Sequence, residues 1–195
     1  KLDEFLMQGE KVSIRNKRIS DAEEDHGWRC DLELARLDAA SPLRMGFDEF
    51  LRQYKQELEH ESPWSRRFSI DTLDGKHIGN CMYYDVDFFR GSAELGILLG
   101  DRDHWSGGYG SEAVKLLLYH MFTEMPIKKV YLHTLDWNHR AQRAFEKCGF
   151  KIIRPVKRGG WDFLFMELRK ERWAELQIEE ENLVAKIKAK EKSAS

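Results

Sequence analysis

The sequence predicts a mixed α/β (α+β) domain, in which flanking helices cover a mostly antiparallel central sheet of about seven strands, followed by a C-terminal helical tail. Alternating runs that favour strands recur along the chain, and Asp74-Gly75 between two of them is a strong hairpin signal. Other runs carry apolar residues at helical spacing. The length of 195 residues suits one domain with a buried core.

For the first part of the chain, the sequence predicts one strand and two helices. Val12 and Ile14 mark the strand, and Ser20-Asp21-Ala22-Glu23 has the pattern of a capping box that begins a helix, which Ser41-Pro42 ends. The second helix has an apolar stripe formed by Phe47, Phe50, Leu51, Tyr54 and Leu58.

For the rest of the domain, the sequence predicts six more strands and two more helices. The strands are expected at residues 67–72, 77–84, 93–99, 129–135, 151–155 and 163–168. One helix begins near Gly110 and stops at Pro126, because proline cannot continue a helix. The other spans 139–147 and ends before Gly149, which suits a left-handed C-cap. Gly159-Gly160 forms the turn between the last two strands.

The chain from Arg169 is rich in glutamate and lysine, with apolar residues at near-heptad spacing that Glu180 interrupts. We therefore expect a single domain over residues 1–168 and a charged helical extension over 169–195. This helix either docks on the domain, or on a second copy of it, or is solvated and frayed.

Composition excludes several classes of protein. The 34 acidic and 32 basic residues give a net charge of −2 without a basic stripe, so we expect no nucleic-acid partner. No apolar run approaches the roughly 18 residues of a membrane span, and no signal peptide is visible near the start. Cys30, Cys81 and Cys148 lack disulfide-framework or metal-ligand spacing, which favours a cytoplasmic protein without a metal site.

A glycine-rich turn, Trp105-Ser106-Gly107-Gly108-Tyr109-Gly110-Ser111, links a strand to a helix. Gly108 and Gly110 have no Cβ, so the backbone can approach a ligand closely. The helix N-terminus adds free N–H groups and a partial positive charge. By itself the turn indicates either an anion site or an ordinary flexible strand-to-helix loop, and its spacing is neither a P-loop nor the dinucleotide fingerprint.

A second cluster lies about thirty residues further on, with Asn138, Phe145 and Gly149-Phe150 around a short helix. Together with Gly108-x-Gly110, this cluster resembles the GCN5-related N-acetyltransferase (GNAT) family over roughly residues 9–168. The segments Gly9-Glu10-Lys11-Val12-Ser13-Ile14-Arg15 and Trp28-x-x-Asp31 are similar to the branch that acetylates ribosomal-protein N-termini and polyamines.

The resemblance implies that acetyl-CoA, a co-substrate, binds between the strands at 93–99 and 129–135. It implies that the pantetheine arm pairs with the backbone of Ile97, Leu98 and Leu99. The residues implied to hold the pyrophosphate are Ser106, Gly107, Gly108, Tyr109, Gly110 and Ser111. Asn138 would hold the pantetheine or position the second half of the site. Arg140 and Arg143 would reach the nucleotide phosphates, or are solvated helix charges.

The reaction implied is direct attack of a primary amine on the thioester in a ternary complex. An ammonium has no lone pair, so a group must accept a proton. Glu94 is the candidate base, with Asn138 as the second catalytic residue; a surface strand glutamate is the competing interpretation of Glu94. His104 and His133 are further candidates for proton transfer.

The sequence departs from the family pattern at two positions. Trp105 stands where the family has arginine or glutamine, and Phe145 stands where many members have a tyrosine that acts as general acid. Because Phe145 cannot donate a proton, a catalytically silent acyl-CoA-binding sensor or interaction domain remains the alternative. The acceptor, a peptide N-terminus or a small amine such as a polyamine, would bind around residues 28–64. The sequence also leaves open whether the protein forms a homodimer.

Overall fold

The computed structural model describes residues 6–193, so the first five and last two residues of the predicted domain and extension lie outside the described residues. Eight strands form one sheet in the order β1-β2-β3-β4-β5-β6-β8-β7. The strands are Leu6–Gln8 (β1), Val12–Asn16 (β2), Arg66–Thr72 (β3), His77–Asp87 (β4), Ser92–Leu99 (β5), Lys129–Leu135 (β6), Lys151–Arg158 (β7) and Trp161–Arg169 (β8). The helices are Ala22–Cys30 (α1), Leu32–Leu37 (α2), Phe47–Glu59 (α3), Tyr109–Thr123 (α4), His139–Lys147 (α5) and Lys170–Ser193 (α6).

The mixed, mostly antiparallel sheet is confirmed, with one strand more than predicted. Only β5 and β6 pair in parallel; the other neighbours are antiparallel. The extra strand, β1, has three residues and pairs along the edge with β2, so it is too short to give an alternating pattern.

The prediction of a single helix from Ser20 to Ser41 is wrong, because the chain forms two helices there. Asp31 separates them, and its carboxylate accepts the backbone N–H of Leu34 at 2.9 Å as the N-cap of α2. The predicted capping box is also absent. The carboxylate of Asp21 instead accepts the N–H of Arg18 at 2.8 Å and pairs with the guanidinium of Arg15.

The helices cover the two faces of the sheet unequally. The main core joins the sheet to α4, α5 and the first turn of α6, where Trp173 is buried. Helices α1 and α3 cover the opposite face over β2–β4, around Phe50 and Tyr54. Beyond its first turns α6 is charged and exposed. Among residues 6–193, no helix combines the length and hydrophobicity that a bilayer crossing requires.

Candidate active site

The site lies where β5 and β6 separate. Their parallel pairing runs from Ser92↔Lys129 to Glu94↔Tyr131 and does not continue beyond that pair. Past this point the strands diverge and leave a cavity of about 160 Å³, which we call the cleft. Its lining residues are Leu37, Ile97, Leu98, Leu99, Trp105, Ser106, Gly108, Gly110, Ser111, Val114, Asn138, Arg140, Ala141, Ala144 and Phe145. The two strands that separate are those expected to do so from the sequence, at 93–99 and 129–135.

The glycine-rich turn forms one wall of the cleft because of its backbone geometry. Ser106 and Gly108 have φ of 61° and 84°, in the left-handed region, immediately before α4 begins at Tyr109. A Cβ on Gly110 would lie 3.3 Å from Leu99, which is tighter than ordinary contact. The turn thus brings the N-terminus of α4, with its unpaired N–H groups, against the end of β5.

The carboxylate of Glu112 anchors this turn. It accepts the backbone N–H groups of Glu10, Lys11 and Val12 at 3.0, 2.8 and 2.8 Å. This fixes the first turn of α4 to the β1–β2 connection. Gly9 is needed there, because a Cβ would come within 2.6 Å of the Glu112 carboxyl group. Sequence reasoning missed Glu112, since its three partners lie about a hundred residues away.

The cleft collects nine of the twelve residues expected to hold the co-substrate. Gly107, Tyr109 and Arg143 do not line it. The ring of Tyr109 turns instead toward His104, at 4.9 Å between ring centroids. His104, a candidate for proton transfer, therefore packs beside the turn, with Nδ1 3.4 Å from Asp101, and does not line the cleft.

The uncharged ring of Trp105 holds the guanidinium of Arg140 at the cleft. Its indole N–H donates to the carbonyl of Leu99 at 2.9 Å. The guanidinium of Arg140 lies 3.9 Å from the centre of the Trp105 ring, a cation–π distance. Among the described residues Arg140 has no carboxylate partner, so it is available to an anion. Arg140 thus lines the cleft, whereas Arg143 does not.

Asn138 and Phe145 both face the cleft from α5. The side-chain oxygen of Asn138 accepts the N–H of Ala141 at 3.2 Å and caps the helix, which leaves its amide N–H groups for a ligand. Phe145 is 8% exposed and contacts Phe150 edge-to-face. It contributes an apolar wall. Cys148, one turn further on, is buried, and burial raises the pKa of its thiol to about 11.

Glu94 is not the surface glutamate of the competing interpretation. It is 2% exposed and lies at the point where β5 and β6 part, on the face of the sheet opposite the core row. Its Oε1 lies 2.6 Å from Nδ1 of His133 on β6. Tyr84 lies directly opposite it on β4. Burial and the charge of Glu94 raise the pKa of the Tyr84 hydroxyl.

A second concavity adjoins these groups, and we call it the α3 groove. It has a volume of about 460 Å³ between α3 and the strands β3 and β4, and Tyr84 is one of its lining residues. Its charged residues are of both signs: Lys17, Glu57, Glu61, Arg66 and Arg67. Because Tyr84 lines the groove and also lies opposite Glu94 in the sheet, the groove leads toward Glu94. Among residues 6–193 no cluster of His, Cys, Asp or Glu is arranged to hold a metal ion.

Sequence comparisons relate the chain to acetyltransferases. The acetyltransferase (GNAT) domain matches residues 11–151. A spermidine N(1)-acetyltransferase of Vibrio cholerae is 27% identical over 104 residues, which are 53% of this chain and 58% of that enzyme. An uncharacterized N-acetyltransferase of Bacillus licheniformis, p20, is 28% identical over 123 residues, which are 62% of this chain and 68% of that protein.

Solved structures share the fold. Spermidine N-acetyltransferase from Vibrio cholerae, in complex with CoA and spermine, superposes with a TM-score of 0.75 at 20% identity, covering 85% of this chain and 99% of that one. Aminoglycoside acetyltransferase AAC(6')-Ib, in complex with coenzyme A, gives a TM-score of 0.72 at 20% identity, covering 85% and 99%. The acetyltransferase (GNAT) domain match over residues 11–151, which is more than half of the chain, shows that the chain belongs to the GNAT acetyltransferase family.

Proposed function

We propose that the protein transfers an acetyl group from acetyl-CoA to a primary amine within a ternary complex. The observation that carries this proposal is the position of the Glu94–His133 pair, with a buried glutamate and a partly buried histidine, at the point where β5 and β6 separate. A co-substrate in the cleft would direct its thioester toward that point. A cytoplasmic location is part of the proposal, and the three free cysteines support it.

The residues of the cleft fit acetyl-CoA. The narrow cavity between β5 and α5 suits a pantetheine arm, whose amides need the backbone groups of Ile97–Leu99 and the free amide of Asn138. The turn at Ser106–Ser111 offers N–H groups to a pyrophosphate. Arg140 adds a cation at the same wall. Gly110 leaves open the space that a side chain would fill against Leu99.

The chemistry requires an acceptor nitrogen with a lone pair. Amines enter as ammonium ions at neutral pH, so a proton must leave before the nitrogen attacks the thioester carbon. The C–N bond forms, the C–S bond breaks, and CoA leaves as a thiol after taking up a proton. Glu94 and His133 together supply the proton acceptor. A backbone N–H of Leu98 or Leu99 is the proposed donor to the oxyanion.

We propose that the acceptor binds in the α3 groove. The groove reaches Tyr84, which lies opposite Glu94, so an amine bound there approaches the reacting carbon from the side away from the turn. A polyamine is the acceptor that the Vibrio cholerae relative supports. A peptide N-terminus is the second candidate, since the groove offers both Glu61 and Arg67 to a chain that carries both charges.

The test is release of the CoA thiol from acetyl-CoA in the presence of an amine panel: spermidine, spermine, an aminoglycoside, and peptides with free and blocked N-termini. We expect amine-dependent thiol release with at least one free amine and none with the blocked peptide. Gly110→Val, which fills the cleft beside Leu99, should weaken acetyl-CoA binding, whereas Gly46→Val, with no atom within 4 Å of its Cβ, should not.

The alternative function, an acyl-CoA-binding sensor without turnover, rests on Phe145. This side chain lines the cleft and has no hydroxyl to protonate a departing thiolate. Tight binding of acetyl-CoA without acetylation of any amine in the panel would favour the sensor over the enzyme.

A further inference from the structure

The contact between Glu94 and His133 fixes which imidazole nitrogen is free. An ionised carboxylate only accepts hydrogen bonds, so at 2.6 Å the Nδ1 of His133 donates to Oε1 of Glu94. In the neutral imidazole the lone pair is then on Nε2. No other hydrogen bond of His133 occurs among the described residues, and Nε2 is not a buried atom without a partner. Nε2 therefore keeps some solvent-accessible surface.

The two side chains of the pair differ in solvent exposure. The side chain of Glu94 is 3% exposed, while that of His133 is 13% exposed. The imidazole ring is held edge-to-face by Phe165 and Phe163 of β8, at centroid distances of 5.3 and 5.9 Å. These contacts fix the ring without using a nitrogen. The glutamate is thus the inner member of the pair, and the imidazole is the member that a substrate can reach.

We propose that Nε2 of His133 accepts the proton from the acceptor amine, and that Glu94 acts through His133 as its positioning residue. This deepens the proposed function and rests on it. His133 follows Tyr131, the last residue of β6 that pairs with β5, by two residues and shares its face of the strand. It therefore lies on the diverging side of the junction, although it is not one of the residues that line the cleft.

The ammonium of the acceptor loses a proton to Nε2, which turns His133 into an imidazolium while Glu94 stays ionised and stabilises it. The nitrogen then attacks the thioester carbon, and collapse of the adduct breaks the C–S bond. One of the two protons still on the nitrogen passes to the departing sulfur through water, and the other stays as the amide N–H. The products are the N-acetylamine and the CoA thiol, and His133 returns its proton to solvent.

Other titratable groups surround the pair on every packed strand. They are Tyr84 and Asp85 on β4, Asp87 at the end of β4, Tyr131 on β6, Glu167 on β8, and Arg154 and Arg158 on β7, with Arg154 lying over the ring of Phe165. Burial raises the pKa of both the Tyr84 and Tyr131 hydroxyls, and the charge of Glu94 raises them further. These hydroxyls stay neutral at neutral pH. His133 is the side chain near the junction whose second ring nitrogen is not used in a hydrogen bond among the described residues.

The decisive variant is His133→Asn, because the asparagine amide can replace Nδ1–H as a donor to Glu94 but cannot titrate. We expect kcat to fall by roughly 10²-fold or more and the acid limb of the pH–rate profile to disappear. The affinity for acetyl-CoA should stay unchanged. If this variant does not fold, His133→Gln also lacks a titrating group and is measured in the same way. Tyr131→Phe is the matched control on the same face and should keep the profile.

A double-variant cycle separates the two roles. If Glu94 acts only through His133, adding Glu94→Gln to His133→Asn should lower kcat no further. A His133→Asn enzyme that keeps both its kcat and its acid limb would overturn the inference and return the base to Glu94. A further large loss in the double variant would overturn it as well. A wild-type protein that acetylates no amine would instead contradict the proposed function.

Discussion

Single residues decide the shape of the turn beside α4. Gly108 caps the helix with φ of 84°, a conformation that costs an L-residue roughly 1–2 kcal/mol. Ser106 already adopts φ of 61° two residues earlier. The backbone there is held by Glu112 through its bonds to the β1–β2 connection. Glu112 therefore fixes the start of α4 to the β1–β2 connection.

Gly108→Ala should lower stability by about 1 kcal/mol and weaken acetyl-CoA binding, because alanine disfavours the left-handed conformation. Gly27→Ala is the matched control: Gly27 lies inside α1 with no atom within 4 Å of a Cβ, so this change should slightly stabilise the protein. Urea unfolding and calorimetric titration with acetyl-CoA measure the two effects. Equal responses of both variants would contradict the account of the turn.

At the residue scale, sequence reasoning found Glu94 and His133 separately but not as a pair. Strand alternation places Glu94 on the face away from the apolar row, and that placement holds. The contact with His133 depends on parallel pairing of β5 and β6 across the α4 crossover. No local turn signal specifies such a register, whereas Asp74-Gly75 does specify the β3–β4 hairpin.

At the scale of elements, ionic contacts beneath α1 join this helix to the sheet. Arg15 binds Asp21 and Asp71 at 2.8 and 2.6 Å. Asp25 of α1 binds Lys17 at 2.6 Å and His77 at 3.0 Å. Such buried pairs contribute little net stability when intact, but breaking one leaves an uncompensated charge. The position of α1 over β2–β4 therefore depends on charge state.

These contacts predict how stability varies with pH. Burial alone would raise the pKa of Asp25, but hydrogen bonds from His77 and the charge of Lys17 lower it to about 2. Its contribution is present above the unfolded value of about 3.9 and is lost as the pH falls toward 2. Burial alone would lower the pKa of His77, but Asp25 and Asp71 raise it.

The contribution of His77 has the opposite sign. It is fully present below the unfolded value of about 6.5 and is lost as the pH rises through the folded value. Urea midpoints across the pH range should therefore fall on acidification below about pH 4 and fall modestly above about pH 6.5. His77→Gln should remove the second decline and keep the first. A midpoint that stays constant from neutral pH to pH 2 would contradict this account.

At the scale of the whole molecule, the extension is partly a component of the core. Trp173 is 9% exposed and lies 5.3 Å from Phe122 of α4 between ring centroids. Leu176 packs on Gly149, where any Cβ would come within 2.3 Å of it. The later apolar residues of α6, Leu183 and Ile187, are exposed. The first turns of α6 thus close the sheet face that α4 covers.

Trp173→Ala should destabilise the protein by about 3 kcal/mol or more, because it removes a buried aromatic side chain and leaves a cavity beside Phe122. Leu183→Ala, an apolar truncation on the exposed part of the same helix, should change stability by less than about 0.5 kcal/mol. Thermal or urea unfolding of the full chain compares them. A similar loss in both variants would show that the distal part of α6 also packs against a surface.

The fold class followed from alternation and turn signals, but the layout of the sheet did not. Seven strands were predictable, and Gly149 has the expected left-handed φ of 101°. The position of β8 between β6 and β7 was not predictable from the sequence. A hairpin signal indicates that two strands pair with each other, but not which of the two pairs with the rest of the sheet. The division of the first helix at Asp31 was missed because helical spacing continues across it.

The most direct test of the central claim is to incubate the protein with acetyl-CoA labelled in its acetyl group and with spermidine, and to quantify both products. We predict labelled N-acetylspermidine, or the labelled product of another amine from the panel, in equal amount to the released CoA thiol. The reaction should require both substrates. Thiol release without any acetylated amine, or binding of acetyl-CoA with neither product, would contradict the account.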